Sequence, residues 1–310
     1  MAYTLELDRI RKTFDEFVAV DDLSFQIREG EIFGLLGPNG AGKTSSIRMM
    51  IGITLPDSGE IRIFGQPFSR RSLERVGYLP EERGLYKKMS IVENLVFLGC
   101  LKGLTPAEAE RRARHWLERM ELSEWAGSKV EELSKGMQQK VQFVAAVLHE
   151  PGFMILDEPF SGLDPASSVV LKDALLDLKK QGKTILFSTH RMDTVERLCD
   201  SICLVNRGRS VLLGNLREVK ASYGRSSVQL EYEGTLPLLE DPTLVSGSND
   251  FGNYVELRLA PGADPQRVLA EAMKSSTVRR FEVVEPSLEE IFIDTVERTK
   301  MEKSAAVAHA

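Results

Sequence analysis

Apolar residues occur in this chain with two distinct spacings. Residues 32–36, 153–156 and 184–188 form short, mainly apolar runs, which is typical of parallel strands buried on both faces. Residues 3–28 alternate in part between apolar and polar side chains, as a half-buried sheet does. Residues 90–150 show mostly helical spacing. The pattern predicts an α/β core with an antiparallel β-subdomain at its N-terminal end and an inserted helical subdomain.

The last third of the chain predicts a smaller, separate α+β domain. Two segments, 228–232 and 255–259, alternate strictly, and residues 266–273 have helical spacing. Ser287 and Glu290 fit a capping box that opens a last helix. The predicted units are an N-terminal domain (1–222) with its helical subdomain (about 88–150), a C-terminal domain (226–300) after a linker near 220–227, and a disordered tail (301–310).

A glycine-rich loop follows the first buried run. Its sequence, Gly37-Pro38-Asn39-Gly40-Ala41-Gly42-Lys43-Thr44, fits the phosphate-binding pattern G-x-x-x-x-G-K-[ST] at every fixed position. Its glycines let successive backbone amides point inward, and the helix that follows adds free amides and a positive end. Lys43 is expected to reach the outer phosphates of a nucleotide, and the Thr44 hydroxyl to bind Mg²⁺. A glycine-rich turn that matches by chance is the alternative.

Ionisable side chains stand where the other two buried runs end. Asp157 and Glu158 follow one run, and His190 follows the other. Adjacent acids at the end of a buried strand are costly unless they are paired or bind a metal. Because parallel α/β sheets bind ligands at this edge, we expect Asp157 to hold Mg²⁺ through water and Glu158 to polarise an attacking water. A surface turn and a structural histidine are the alternatives.

Three further positions allow a structural and a functional interpretation. Phe14 is either a core residue or an aromatic platform for a nucleobase. Glu81 is either solvated or approaches the metal. Ser134 is either a simple N-cap or part of a phosphate-binding helix end. Asp164, just before a proline, predicts the start of a further helix.

Composition narrows the class of protein. The chain has 310 residues, 42% hydrophobic and 28% charged, which is ordinary for a globular protein with room for two domains. The sequence has no run of about 18 apolar residues that would span a bilayer, and we expect no secretory signal. Its three cysteines make no disulfide framework, which fits a reducing compartment. Residues 226–300 hold 14 acidic and 7 basic side chains, which argues against nucleic acid as a partner there.

Together these motifs resemble the ATP-binding subunit of an ABC transporter over roughly residues 3–220. The glycine-rich loop, with Ser45 after it, matches the Walker A motif, and the acidic pair matches Walker B, with Glu158 as the catalytic glutamate. His190 matches the switch histidine, and Phe14 falls where the family places its base-stacking aromatic. The signature motif is matched in part by Ser134-Lys135-Gly136-Met137, and the D-loop is matched by Ser161-Gly162-Leu163-Asp164.

The resemblance implies an ATPase with ATP as substrate and Mg²⁺ as cofactor. Lys43, Glu158 and His190 are then catalytic, and the residues implied for the metal are Thr44, Asp157 and Glu81. The family's geometry is a head-to-tail dimer, formed here by two copies or with a paralogue, in which the signature of one subunit closes over ATP on the other. A separate transmembrane permease and a peripheral position on the cytoplasmic side of the cell membrane are also implied.

The chain departs from the family pattern at two places. Glu81 replaces the usual glutamine after Tyr78-Leu79-Pro80, so a carboxylate faces the metal and the partner. The signature has Lys135 and Met137 in place of glycine and glutamine. Because the serine and the second glycine are kept, we expect a working site with altered coupling or rate.

Segments 77–86 and 285–292 resemble a narrower group, the ABC-2-type exporters whose ATPase subunit has a small C-terminal domain. Members are linked to the extrusion of sodium, drugs or other cargo, which the membrane subunit selects. The alternative function is a soluble ABC-type ATPase acting on nucleic acid or ribosomes. That class predicts tandem cassettes or a coiled-coil insertion, which this chain lacks. A regulator that does not hydrolyse is a third possibility, against which Glu158 and His190 argue.

Overall fold

A computed structural model describes residues 2–82, 84–223, 227–284, 286–293 and 295. The chain divides into two compact units, Met1–Asn215 and Leu216–Ala310, and each is described by itself. The tail predicted at 301–310 lies outside the described residues.

The first unit begins with an antiparallel sheet of four strands, as the partial alternation predicts. The sheet has the order β2-β1-β4-β5, and its strands are β1 (Tyr3–Phe14), β2 (Phe17–Arg28), β4 (Ser58–Ile63) and β5 (Gln66–Pro67). Alternate side chains such as Leu7, Leu23 and Ile61 are buried against the core. The turn between β1 and β2 places Phe14 directly opposite Phe17.

The second sheet of this unit has six strands in the order β10-β9-β3-β8-β7-β6. Its strands are β3 (Ile32–Leu36), β6 (Val76–Leu79), β7 (Phe153–Asp157), β8 (Thr184–Thr189), β9 (Ser201–Asn206) and β10 (Arg209–Asn215). The strands are parallel except for β10. Every residue of β3, β7 and β8 is buried, which confirms the predicted two-sided burial. Because these strands are adjacent and parallel, their carboxyl ends meet at one edge.

The described residues of the first unit also form six α-helices. They are α1 (Lys43–Met50), α2 (Ile91–Leu101), α3 (Pro106–Arg119), α4 (Lys135–Val147), α5 (Pro165–Lys180) and α6 (Met192–Leu198). The predicted N-caps are confirmed: Ser134 Oγ accepts from Met137 N at 3.2 Å, and Asp164 Oδ1 accepts from Ser167 N at 2.9 Å. Helices α2, α3 and α4 contact one another and form the inserted helical segment.

The second unit contains an antiparallel sheet with the order β12-β13-β11-β14. Its elements are α7 (Leu216–Ser222), β11 (Ser227–Gly234), β12 (Val245–Asp250), β13 (Val255–Leu259), α8 (Pro265–Ser275) and β14 (Ser276–Val284). A further helix covers residues 288–293, and its predicted capping box forms. The last residues of α7, 220–222, lie where the sequence predicts the start of a linker. In the described residues no helix is long and apolar enough to cross a membrane.

Gly77 is a sensitive packing position, because β6 lies there against the backbone of α4. A Cβ at residue 77 would lie 2.2 Å from the carbonyl oxygen of Ala146. We expect Gly77→Ala to lower the free energy of unfolding by about 3 kcal/mol, since neither backbone can move aside cheaply. At Gly152 the nearest atom, on the Phe64 ring, would be 3.8 Å away. Gly152→Ala is therefore the control. An equal loss of unfolding free energy in the two variants, measured by denaturant unfolding, would contradict the predicted clash at Gly77.

Candidate nucleotide-binding site

The glycine-rich loop joins β3 to α1 and is tightly packed at its two ends. Gly37 and Gly42 have φ of 149° and 108°, which side chains rarely adopt. A Cβ on Gly37 would lie 2.2 Å from the carbonyl oxygen of Val205, and one on Gly42 would lie 2.5 Å from that of Ala19. Between them, the Ala41 carbonyl accepts a 2.8 Å hydrogen bond from the Gly208 amide. Neighbouring strands thus hold the loop in its bent form.

Lys43 begins α1, and its ammonium is folded back over the loop. The Nζ atom donates to the Gly37 carbonyl at 2.7 Å and to the Pro38 carbonyl at 3.2 Å. It lies 3.9 Å from Glu158 Oε1. Burial lowers the pKa of Lys43, and the nearby carboxylates, Glu158 first, oppose that shift. The loop carbonyls and the carboxylate therefore stabilise a buried cation beside the phosphate-binding backbone.

Asp157 closes β7 and is almost fully buried. Its Oδ1 atom accepts a short hydrogen bond from the Ser188 hydroxyl, whereas Oδ2 is buried with no hydrogen-bond partner. Burial raises the pKa of Asp157, and hydrogen bonds from Ser188 and Thr44 partly offset the shift. A buried carboxylate oxygen without a donor is costly. A cation or an ordered water at this edge would satisfy it.

Glu158 turns away from the strand and points at His190. Its φ of 49° lies in the left-handed region, which is uncommon for a residue other than glycine and is often found at functional sites. Oε1 lies 2.9 Å from His190 Nδ1, and Oε2 accepts from the Thr189 hydroxyl at 3.2 Å. These contacts bring together Glu158 and His190, which the sequence analysis placed at the ends of separate strands.

A cavity of about 250 Å³ lies above the loop. It is lined by residues 39–45 of the loop and α1, by Phe17 and Ala19 of β2, and by Glu81 and Glu158. The aromatic among the described residues of this wall is Phe17, whereas Phe14, the residue expected to stack on the base, does not line it. The two phenylalanines lie opposite each other in the hairpin, and both are exposed, Phe17 at 64% and Phe14 at 45%. No motif marked Phe17 or Ala19.

Glu81 follows β6 and reaches the same cavity. Its Oε2 atom accepts a hydrogen bond from the Thr44 hydroxyl at 3.4 Å. The Thr44 hydroxyl also lowers the pKa of Asp157, so it lies close to both carboxylates. The described residues contain no group of three or more His, Cys, Asp and Glu side chains placed for a metal. One hydroxyl and two carboxylates suit Mg²⁺, which keeps water ligands and shares substrate phosphate oxygens.

The signature and D-loop segments lie beside each other but do not line this cavity. A Cβ on Gly136 would lie 3.2 Å from the Gly162 carbonyl oxygen and 3.6 Å from the Leu163 side chain. The described residues that line the cavity include none from 134–137 or 161–164. One chain therefore supplies the loop, Asp157 and Glu158 at one place and the signature at another.

Fold and site together define a P-loop nucleotide-binding protein. The family profile described as ABC transporter matches residues 20–161, and one described as the C-terminal domain of DrrA1-3-like ATP-binding proteins matches residues 214–296. An uncharacterized ABC transporter ATP-binding protein of Bacillus subtilis, YhaQ, is 44% identical over 292 residues, covering 94% of this chain and 98% of the relative. The Nod factor export ATP-binding protein I of Paraburkholderia xenovorans is 40% identical over 259 residues, covering 80% and 84%.

A solved structure agrees with these relatives. An ATP-binding subunit of an ABC transporter, 35% identical, has a TM-score of 0.67 and covers 71% of this chain and 93% of its own. The chain belongs to the family of ABC transporter ATP-binding proteins.

Phe17 is predicted to contribute to binding of the base. Base–aromatic stacking is worth about 1–3 kcal/mol, so we expect Phe17→Ala to raise KM for ATP roughly tenfold with little change in kcat. Phe17→Tyr keeps a ring and should restore KM. Phe14→Ala is the matched variant, because the family resemblance places the base-stacking aromatic at Phe14. KM for ATP is compared among the variants in steady-state ATPase assays. A KM that changes only in Phe14→Ala would contradict the assignment of Phe17.

Proposed function

We propose that this chain is the subunit that binds and hydrolyses ATP to power an exporter. The observation that carries the proposal is the meeting of Lys43, Asp157 and Glu158 at the carboxyl-end edge of the parallel sheet, beside the glycine-rich loop. A cation, a metal ligand and a base are the groups that phosphoryl transfer to water requires. One relative supports export by name, the Nod factor export protein, and another is named for resistance to linearmycin.

Glu158 is the residue proposed to polarise the attacking water. Its Oε1 atom is held by His190 and its Oε2 atom by Thr189, so the carboxylate has a fixed direction at the cavity wall. Lys43 leaves the loop carbonyls for the phosphates and stabilises the charge that develops there. Mg²⁺, held by Thr44 and Asp157 with Glu81 beside them, would neutralise charge on the phosphate oxygens. His190 holds Glu158 in place and is exposed enough to contact the outermost phosphate.

The separation of the signature from the cavity supports a dimer. Ser134 begins a helix whose N-terminal end is favourable for phosphate, yet it lies outside the wall of this chain's own cavity. A head-to-tail pair of identical chains brings each signature to the partner's site and closes with two-fold symmetry. ATP then joins the two copies, and hydrolysis removes the bridge, so binding and cleavage drive closing and reopening.

An apolar groove supports a membrane partner. A cavity of about 430 Å³ lies between α2, α4 and the segment after β6, and its wall is mainly apolar. Ile53 and Leu101, which are more than half exposed, stand at this groove. Exposed apolar patches of this kind mark interaction sites. Pro80 lines the groove while the adjacent Glu81 lines the nucleotide cavity, so one segment touches both. We assign the groove to a helix of a transmembrane permease, with this chain on the cytoplasmic side.

Glu158→Gln tests the catalytic assignment. The amide cannot accept a proton, so we expect kcat for ATP hydrolysis to fall by about 10²–10⁴ while ATP binding persists. The variant should also form a dimer with ATP and magnesium, which sedimentation velocity would detect. Glu82→Gln, an exposed glutamate outside the cavity wall, is the control. Unchanged turnover in Glu158→Gln would rule out Glu158 as the catalytic base.

Ile53→Glu and Leu101→Glu test the groove. A buried unpaired carboxylate is unfavourable at an apolar interface, so we expect either variant to lose copurification with a co-expressed permease. ATP binding by the isolated chain should stay unchanged. Val169→Glu, an equally large change at a half-exposed residue of α5 outside the groove, is the control. Retention of the permease by both groove variants would contradict the assignment.

A further inference from the structure

Two of the three residues at which the chain departs from its family's pattern, Glu81 and Lys135, carry opposite charges. Glu81 is exposed, and its carboxylate accepts one hydrogen bond, from Thr44 at 3.4 Å. Lys135 is also exposed, at the first position of α4. Within the described part of the chain, neither side chain forms an ion pair. Both side chains therefore add a charge that has no ion-pair partner among the described residues.

The wall of the nucleotide cavity has an excess of negative charge. Glu81 and Glu158 line it and Asp157 lies just behind, whereas Lys43 is the one cation among the residues that line it in the described structure. A bound triphosphate adds further negative charge, more than the Mg²⁺ of the proposed site would offset. Like charges close together are costly in a partly dry site. The carboxylate that replaces an uncharged amide at Glu81 makes this imbalance larger, so a compensating cation from outside the chain is favoured.

Lys135 is poorly placed for the stability of its own helix. The N-terminus of a helix has a partial positive charge, and a cation there is unfavourable. The first turn of α4 contains no acidic residue that would offset it. Beside Lys135 lies Gly162 of the D-loop, whose added Cβ would be 4.0 Å from the Lys135 Cβ. Lys135 is therefore an exposed residue of the signature segment (134–137), with no acidic partner in the first turn of its own helix.

We propose that Lys135 of one copy forms an ion pair with Glu81 of the other copy when two chains close over ATP. The inference rests on the proposed head-to-tail dimer, which sets the signature of each copy opposite the cavity of its partner. Lys135 is then a positioning residue: it offsets the charge of Glu81 and holds that carboxylate beside Thr44. The two departures from the family pattern compensate each other across the interface.

Mixed charge-reversal variants test the pair. In a Glu158→Gln background, we expect Glu81→Lys and Lys135→Glu each to weaken ATP-dependent dimerisation at least about tenfold, since each sets like charges opposite one another. Each mixed dimer of the two variants contains one reversed pair and one original pair. Mixing them should therefore restore dimerisation to within about threefold of the background. The readout is sedimentation velocity with one copy fluorescently labelled, and recovery in the mixture also shows that both variants fold.

Three outcomes would overturn the inference. If mixing does not restore dimerisation, while both reversals placed in one chain do, the pair forms within a chain and not between copies. Lys87 is the control, because it lines a neighbouring cavity together with Glu81. If Lys87→Glu weakens dimerisation as much as Lys135→Glu does, the effect comes from the overall charge of this surface and not from a specific ion pair. If neither reversal affects a dimer that does form, the pair does not exist and the proposed function still stands. A Glu158→Gln background that never dimerises would instead overturn the proposed dimer, and the pair with it.

Discussion

The burial of three charged side chains at one edge of a parallel sheet is the constraint on which this structure depends. Lys43, Asp157 and Glu158 are each at most 9% exposed. Ionised groups are expensive to bury unless hydrogen bonds or opposite charges compensate them. The loop carbonyls bind Lys43, Ser188 binds Asp157, and His190 and Thr189 bind Glu158. The compensation is incomplete at Asp157 Oδ2, which has no hydrogen-bond partner in the described structure, and a cation bound there would complete it.

The arrangement of elements follows from this constraint. Parallel neighbours β3, β8 and β7 carry the loop, His190 and the acidic pair to one edge, although these residues are far apart in sequence. The antiparallel sheet adds Phe17 and Ala19 to the cavity wall, and the segment after β6 adds Glu81. The inserted helices carry the signature segment (134–137) away from the cavity wall. In the proposed function, association of two copies brings the signature of one chain to the cavity of the other.

Local patterns were enough to predict the residues at the sheet edge. The loop motif and the runs that end at Asp157 and Thr189 depend on short stretches of sequence, and the fold brings them together as expected. Phe17 was missed because its place in the cavity depends on the hairpin turn, which no spacing rule specifies. Strand β12 was missed because its residues, Val245–Asp250, are mostly small and polar, and its pairing with β13 comes from the backbone. Helix α7 was missed because its short segment, read together with the polar residues after it, looks like a linker.

The measurement that tests the central claim most directly is calorimetric binding of ATP with magnesium and with chelator. If the unpaired oxygen of Asp157 marks a cation site beside the phosphate loop, ATP binds at least about tenfold more tightly with magnesium. Asp157→Asn should then lose most of that difference while still binding ATP alone. Equal affinities of the unaltered chain in the two conditions, or a magnesium effect that persists fully in Asp157→Asn, would contradict the account.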